Sequence, residues 1–232
     1  MNRLIFTLIA MLGMAFAGCS NDDLLGVDDL DKLDKLDQIE NPTIIGYNNV
    51  HTVLTYGKDE LKALPEIKEE GDYTVYVFNT AEELAEAEIG GYSVPGISFN
   101  PGFSKAELEN FRQERRGKIT PKSVIEDFSD IDWSKQSLVV ITRVYPTTGF
   151  DLNNATGKIY RKSGKFVIAL QEEILSDSWI LGCAITYWGI AVIIDKHNLS
   201  AKDLRIHLDN TEYNYNAEGR YDKKVESKWL KL

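Results

Sequence analysis

The sequence predicts an α+β domain that is mainly antiparallel β structure, sandwich-like, with two or three short helices, preceded by a disordered acidic tether. After Trp133, short runs of β-branched and aromatic residues alternate with turn residues, which is typical of successive strands. Two helix-capping patterns lie before Trp133. Helices that are segregated from a run of strands favour α+β over an alternating α/β arrangement.

The strands are predicted at runs that are rich in apolar and β-branched residues. Before Trp133 these runs are residues 50–56 and 73–78. After it they are residues 138–144, 150–152, 158–161, 166–170, 184–194 and 204–208. The tail, residues 209–232, is polar and contains several tyrosines, and its pattern leaves open an edge strand or a segment that wraps the surface.

Capping patterns predict the two main helices. Thr80 is followed by Glu83 at the spacing of a capping box, and Ser104 is followed by Glu107 at the same spacing. Between these patterns, residues 90–102 are dense in Gly and Pro and are predicted to form an irregular surface loop.

The beginning of the chain has the pattern of a secretory signal. Arg3 supplies a positive charge, residues 4–16 carry none, and the small residues Ala17 and Gly18 follow. The apolar run is too short for a membrane-spanning helix, which needs about 20 residues. We therefore predict a cleaved signal peptide at residues 1–18.

Residues 16–19, Phe-Ala-Gly-Cys, resemble the lipobox of bacterial lipoproteins, with Phe16 in place of the usual Leu. The resemblance implies cleavage before Cys19 and a lipid on its thiol, which would hold the protein on a membrane. An ordinary signal next to a chance cysteine is the alternative. The absence of Asp at position 20 and the short polar-acidic stretch that follows Cys19 resemble surface-exported lipoproteins, which implies the outer membrane of the cell envelope and a surface-exposed domain.

Residues 19–41 are predicted to be a linker and residues 42–232 a single globular domain. Residues 20–41 hold eight acidic residues against two lysines, and their leucines recur every third residue, so no single apolar stripe lines a helix. High charge without aromatic residues favours disorder. The whole chain carries a formal net charge of −10 and has no basic patch, which makes nucleic acid an improbable partner.

No pattern of catalytic residues is found in the sequence. His51, His197 and His207 lack the spacing of metal ligands, and there is neither a Gly-x-Ser-x-Gly elbow nor a phosphate-binding loop. Cys183 is left alone if Cys19 is lipidated, and it lies in an apolar run, which favours a small buried residue over a nucleophile. The sequence therefore predicts no enzyme, no metal and no cofactor.

The nearest approach to paired catalytic carboxylates is Glu172 with Glu173, and Asp130 with Asp132. Neighbouring positions on a strand point to opposite faces, so Glu172 and Glu173 are poorly placed to act together. Both pairs are predicted to be solvated charge runs.

Three stretches share their layout with a known family. Residues 77–84 give a strand, a cap and a helix; residues 131–135, Ile-Asp-Trp-Ser-Lys, lead into an apolar strand; and residues 182–184 are Gly-Cys-Ala. This layout, over residues 73–208, resembles the PrcB-type C-terminal domain of accessory lipoproteins in secreted protease complexes. It implies a non-catalytic binding module that associates with or stabilises a protease complex or another envelope protein.

In that family the turn after the strand is Thr-Gly-Gly-Tyr, whereas this chain has Pro146, Thr147, Thr148, Gly149 and Phe150. The stretch also resembles the protease-contacting loop of chagasin-type inhibitors, which implies inhibition of a cysteine protease as an alternative. Proline and glycine at these positions are equally those of an ordinary β-turn. These five residues are the predicted protein-binding residues.

A third alternative is a surface glycan-binding lipoprotein. Trp179, Tyr187 and Trp188 lie close together in the sequence and could form an aromatic platform. Packing of the same rings in the core explains their clustering equally simply.

Overall fold

The computed structural model describes residues 36–51, 62–93, 106–107, 110, 113–114, 121–145, 150–176, 186–216, 218, 220–230 and 232. Asp37–Leu232 forms one compact unit. The structure is rich in β-sheet and sandwich-like, which confirms that part of the predicted fold class. The unit begins before the predicted boundary at residue 42, because Asp37–Ile39 is a strand that pairs within it.

The strands and helices have the following bounds. The strands are β1 (Asp37–Ile39), β2 (Ile44–His51), β3 (Glu66–Glu70), β4 (Tyr73–Phe78), β5 (Gly90–Ser93), β6 (Pro121–Ser123), β7 (Ser137–Tyr145), β8 (Phe150–Lys162), β9 (Lys165–Ser176), β10 (Thr186–Ile194), β11 (Leu204–Tyr215) and β12 (Tyr221–Leu230). The helices are α1 (Ala81–Ala87) and α2 (Val124–Asp127), with a 3-10 turn at Ala201–Asp203. No helix among the described residues is long and apolar enough to cross a membrane.

These strands form two sheets. One has the order β1-β8-β9-β11-β12, and the other has the order β3-β4-β7-β10-β2-β5-β6. Among the described strands, β9 and β11 pair in parallel and all other pairs are antiparallel. Between β9 and β11 the chain adds β10 to the other sheet, so it returns to the first sheet in the direction in which it left.

Side-chain alternation along the strands builds two apolar layers. In β7, Val139 and Ile141 belong to the core between the sheets, while Leu138 and Val140 point to the opposite face of the seven-stranded sheet. The inter-sheet core is completed by alternate residues of β4, β8, β9, β10 and β11. The second layer lies against α1 and α2, with Leu84 and Val124 among its buried residues.

The capping pattern at Thr80 is confirmed. The backbone N–H of Glu83 donates to Thr80 Oγ1 (3.2 Å), and the Glu83 carboxylate accepts from the backbone N–H of Asn79 (2.6 Å). At the second predicted helix, residues 106–107, 110 and 113–114 are helical and exposed. Its cap at Ser104 lies outside the described residues.

The strand predictions for β4, β7 and β10 are confirmed closely. Residues 150–152 and 158–161, predicted as separate runs, are parts of the single strand β8. β9 and β11 extend well beyond their predicted apolar runs. The alternative left open for the tail is decided in favour of an edge strand, because β12 pairs along its length with β11.

The prediction of an irregular loop from residue 90 is wrong at its beginning. Gly90–Ser93 forms β5, which pairs with β2. A Cβ on Gly91 would lie 3.0 Å from the Asn48 carbonyl oxygen, so the glycine permits a close approach of the two backbones. Glycine density here marks this approach rather than a loop.

Candidate functional site

The space between the two sheets is apolar at one end and polar at the other. Tyr73, Arg143 and Trp188 lie in one row across β4, β7 and β10. They continue the inward-facing positions that are occupied by Val, Ile and Leu further along the same strands. We call this end the polar cluster; its members are Asp72, Tyr73, Arg143, Tyr145, Glu172, Trp188, Asn210, Glu212 and Lys228.

Aromatic rings enclose the guanidinium group of Arg143. Its central carbon lies 5.0 Å from the ring centroid of Tyr73, 5.0 Å from that of Tyr145 and 5.2 Å from that of Trp188. The Tyr145 and Trp188 rings stack on each other at 5.0 Å. Cation–π attraction is strongest where water is excluded, and Arg143 is only 9% exposed. The rings therefore fix the position of a buried charge.

Carboxylates hold the same guanidinium. Arg143 Nε donates to Asp72 Oδ2 at 2.6 Å, and Arg143 Nη2 lies 3.7 Å from Glu212 Oε1. Burial acts to raise the pKa of Asp72, but the hydrogen bond and charge of Arg143, with help from Lys228, hold it below its usual range. Lys228 Nζ lies 3.4 Å from Asp72 Oδ1 and 4.1 Å above the Tyr73 ring.

Glu212 links Arg143 to the end of β7. Its Oε1 atom accepts from the Tyr145 hydroxyl at 2.7 Å and from Asn210 Nδ2 at 3.3 Å. Burial and the neighbouring Glu212 carboxylate raise the pKa of Tyr145 well above its ordinary value, so its hydroxyl stays protonated and remains a donor. The last residue of β7 is thereby fixed by a hydrogen bond and by two stacked groups.

Glu172 lies inside the cluster, and the prediction that it belongs to a solvated charge run is wrong. It is 2% exposed, and its Oε2 atom accepts from the Tyr73 hydroxyl at 3.2 Å. Burial raises the pKa of Glu172 to about 7, although Arg143 and the Tyr73 hydrogen bond act to lower it. Glu173 is half-buried at the next position along the strand. Glu172 is buried because it continues the inward positions Ile168 and Leu170 of β9.

Three buried polar atoms of the cluster have no hydrogen-bond partner among the described residues. They are Arg143 Nη1, Trp188 Nε1 and Asn210 Oδ1. A buried polar atom without a partner costs about 1–3 kcal/mol. The cluster therefore retains hydrogen-bonding capacity that its present arrangement does not use.

An amide joins the two sheets next to the cluster. Asn48 of β2 is opposite Trp188 in register, and its Nδ2 donates to the Leu152 carbonyl at 2.8 Å. The Leu152 N–H donates back to Asn48 Oδ1 at 2.7 Å. Both residues are buried, so this reciprocal pair fixes the beginning of β8 against the opposite sheet.

The predicted protein-binding residues begin one position after Tyr145. Pro146, Thr147, Thr148 and Gly149 lie outside the described residues, and of Phe150 the structure describes the backbone, which pairs with Ser176. β7 and β8 belong to different sheets. Residues 146–149 therefore link two successive strands that belong to different sheets, and the predicted turn itself lies outside the described residues.

Of the other candidate residues from the sequence, some lie outside the described part of the chain and some pack against the apolar layers. Cys19, Cys183 and Trp179 lie outside the described residues. Trp188 is 1% exposed in the inter-sheet core, and Tyr187 packs against the other apolar layer. The two rings point to opposite faces of β10, so they do not form a shared platform, and Trp188 has the core-packing role.

The Ile-Asp-Trp-Ser-Lys motif forms a turn at the opposite end of β7. Asp132 Oδ1 accepts from the Ser134 backbone N–H (3.2 Å) and hydroxyl (2.5 Å), and Lys135 Nζ donates to Oδ2 (2.7 Å). The Lys135 and Ser134 hydrogen bonds lower the pKa of Asp132 to about 2. Asp132, Ser134 and Lys135, which carry part of the resemblance to the PrcB-type domain, therefore stabilise this local turn.

His207 and His197 contact different tryptophan residues. His207 is 3% exposed with its ring 4.8 Å from that of Trp229, and His197 Nδ1 lies 2.9 Å from the Trp133 carbonyl oxygen. The His51 side chain lies outside the described residues. In the part of the chain that the structure describes, no group of three His, Cys, Asp or Glu residues is arranged to hold a metal ion.

Comparisons with family models, with curated proteins and with solved structures found no match to this chain. The resemblance to the PrcB-type domain stays a prediction. Sequence reasoning missed Glu172, Asn210 and Glu212 as members of a buried cluster. The available signal was the alternation of β9 and β11, in which these residues take up the inward positions directly after Leu170 and Leu208.

Proposed function

We propose that this protein is a lipid-anchored, non-catalytic binding module of a bacterial cell envelope, and that its binding residues are Pro146–Phe150. The observation that carries the proposal is the fixation of Tyr145, one residue before Pro146, by Glu212 and by the Arg143 and Trp188 side chains. On the other side, the Phe150 backbone is paired with Ser176 in β8.

Firm attachment at both ends favours recognition. A segment whose ends are already ordered loses less conformational entropy when it docks on a partner. Pro146 restricts its own φ angle, which reduces this loss further. The polar cluster supports such a role, because its charged groups hold one another and the strand ends in place.

The membrane part of the proposal rests on the sequence of the first 41 residues. We propose that residues 1–18 direct export, that Cys19 carries the lipid, and that the acidic linker separates the domain from the bilayer on the outer surface. Radiolabelled palmitate and mass spectrometry of the N-terminal peptide test this directly. We expect label on the wild-type protein and none on Cys19→Ser; an unmodified Cys19 in the wild-type protein contradicts the anchor.

The partner is proposed to be a protease complex or another envelope protein, as the PrcB-type resemblance implies. Affinity capture from solubilised envelopes tests this with the double variant Thr148→Ala/Phe150→Ala. A matched control is Ser163→Ala/Lys165→Ala, which alters the turn between β8 and β9 at the opposite end of the sandwich. We expect the first variant to lose a protein that wild type and control both retain; identical capture by all three rejects the role of Pro146–Phe150.

Direct inhibition of a papain-like protease by the same residues is the second candidate, because the attachment of residues 146–149 at Tyr145 serves an inhibitory loop equally well. Titration of the purified protein against such an enzyme separates the two. Slowing of cleavage at micromolar protein that is lost in Thr148→Ala/Phe150→Ala supports inhibition; no slowing rejects it and leaves the envelope-partner proposal.

A further inference from the structure

The polar cluster contains more acidic groups than it has charges to balance them. Arg143 and Lys228 face three carboxyl groups, those of Asp72, Glu172 and Glu212. If Glu172 is neutral, two positive charges balance two negative charges. If Glu172 is ionised, a third negative charge lies in a region that excludes water.

Every element that packs against Glu172 contributes to its surroundings. The titratable and charged groups that act on it are Asp72, directly before β4, Tyr73 on β4, Arg143 on β7 and Lys228 on β12. Glu212 on β11 and Tyr145 on β7 are connected to this set through Arg143. The residues opposite Glu172 in register on the two neighbouring strands, Ala155 of β8 and Asn210 of β11, carry no charge.

We infer that the polar cluster is a proton-controlled device, in which neutral Glu172 keeps the ends of β7 and β8 tightly packed and ionised Glu172 loosens them. This inference concerns the strand ends that carry Pro146–Phe150, so its consequence for binding rests on the proposed function, whereas the change in packing does not.

The unpaired Nη1 atom of Arg143 couples the ionisation of Glu172 to the end of β7. Arg143 Nη1 is buried and has no partner among the described residues, so it is available to an ionised Glu172. Movement of the guanidinium toward Glu172 weakens its contact with Glu212, which holds the Tyr145 hydroxyl. Tyr145 is the last residue of β7, so the change reaches the position directly before Pro146.

The direction of the pH effect follows from the burial of Glu172. Its folded-state pKa is about 7 and its ordinary value is 4.5, so the folded protein holds this proton more tightly than the unfolded chain does. The contribution to stability is complete below pH 4.5 and is lost as the pH rises through 7. A difference of this size changes the folding equilibrium constant by about 300-fold.

The experiment measures the purified protein without any partner. Carbon-13 NMR follows the Glu172 carboxyl group, identified by its loss in Glu172→Gln, and hydrogen exchange of the Tyr145 and Phe150 amides is corrected for intrinsic rates between pH 6 and pH 8. We expect a midpoint near 7 and faster corrected exchange at pH 8 in the wild type. Glu172→Gln, which keeps an acceptor for Tyr73, should exchange alike at both pH values, and the control Glu173→Gln should behave as wild type.

A Glu172 midpoint near 4.5, or corrected exchange at Tyr145 and Phe150 that does not change with pH, overturns the inference. The exchange reading needs only the wild-type protein, so it stands even if Glu172→Gln folds poorly. Because no partner is present, this failure is distinct from failure of the proposed binding function. If the inference and the proposed binding function both hold, the proteins captured at pH 6 and pH 8 should differ for wild type and not for Glu172→Gln.

Discussion

Replacing Arg143 by Met tests the polar cluster most severely. Methionine has a similar length and no charge, so the variant removes the guanidinium and leaves Glu212 buried, with Tyr145 and Asn210 as its remaining hydrogen-bond donors. Removing one partner of a buried ion pair costs about 3–5 kcal/mol, because the other charge stays uncompensated. The contact with Asp72 adds little to this value, since the Asp72 side chain is 39% exposed and screened by water.

Stability is measured at pH 7 by urea unfolding, monitored by circular dichroism, and separately by thermal melting. For a domain of about 200 residues, a loss of 3–5 kcal/mol lowers Tm by roughly 6–20 °C. The double variant Arg143→Met/Glu212→Gln should regain at least about 2 kcal/mol, because it no longer buries an unpaired charge. An Arg143→Met protein within about 1 kcal/mol of wild type, or a double variant no more stable than the single one, refutes this reasoning.

Two further substitutions test the neighbouring contacts. Asn48→Ala removes both hydrogen bonds to Leu152 and should cost about 2–4 kcal/mol in urea unfolding, with faster amide exchange at Leu152. Asn48→Asp should be at least as destabilised at pH 7, because Asn48 is buried and the new carboxylate loses the donor and has no opposite charge beside it. Stability of Asn48→Ala that matches wild type contradicts the contact. Gly157→Ala would place a Cβ 2.5 Å from the Ala169 carbonyl oxygen and should destabilise the β8–β9 pair by about 1–3 kcal/mol; a thermal melt of this variant that matches wild type shows that the two strands are less closely packed.

Local patterns predicted the parts of the fold that depend on neighbouring residues. Thr80 and Glu83 define their helix start through contacts within four residues, and the continuous apolar and β-branched runs of β4 and β7 need no distant partner to be recognised as strands. Long-range pairing was not accessible in this way. The parallel pairing of β9 with β11 depends on the passage of β10 through the other sheet, which no local pattern encodes.

The candidate site was predicted in part. The sequence singled out Pro146–Phe150, which follow Tyr145, but it did not reveal the polar cluster to which Tyr145 belongs. Glu172 is next to Glu173, and two adjacent acidic residues resemble a solvent-exposed stretch. Only the continuation of β9 beyond its apolar run, residues 166–170, puts Glu172 at an inward position. Asn210 and Glu212 were hidden for the same reason, since polar residues at inward positions end an apolar pattern without ending the strand.

Site-specific photo-crosslinking on intact cells tests most directly whether the polar end of the sandwich is the binding end. A photoreactive amino acid replaces Thr148 in one variant and Ser163, in the turn at the opposite end, in the other. We expect a discrete envelope-protein adduct from position 148 and none from position 163. Adducts from position 163 alone, equal adducts from both positions, or no adduct from position 148 would contradict the account.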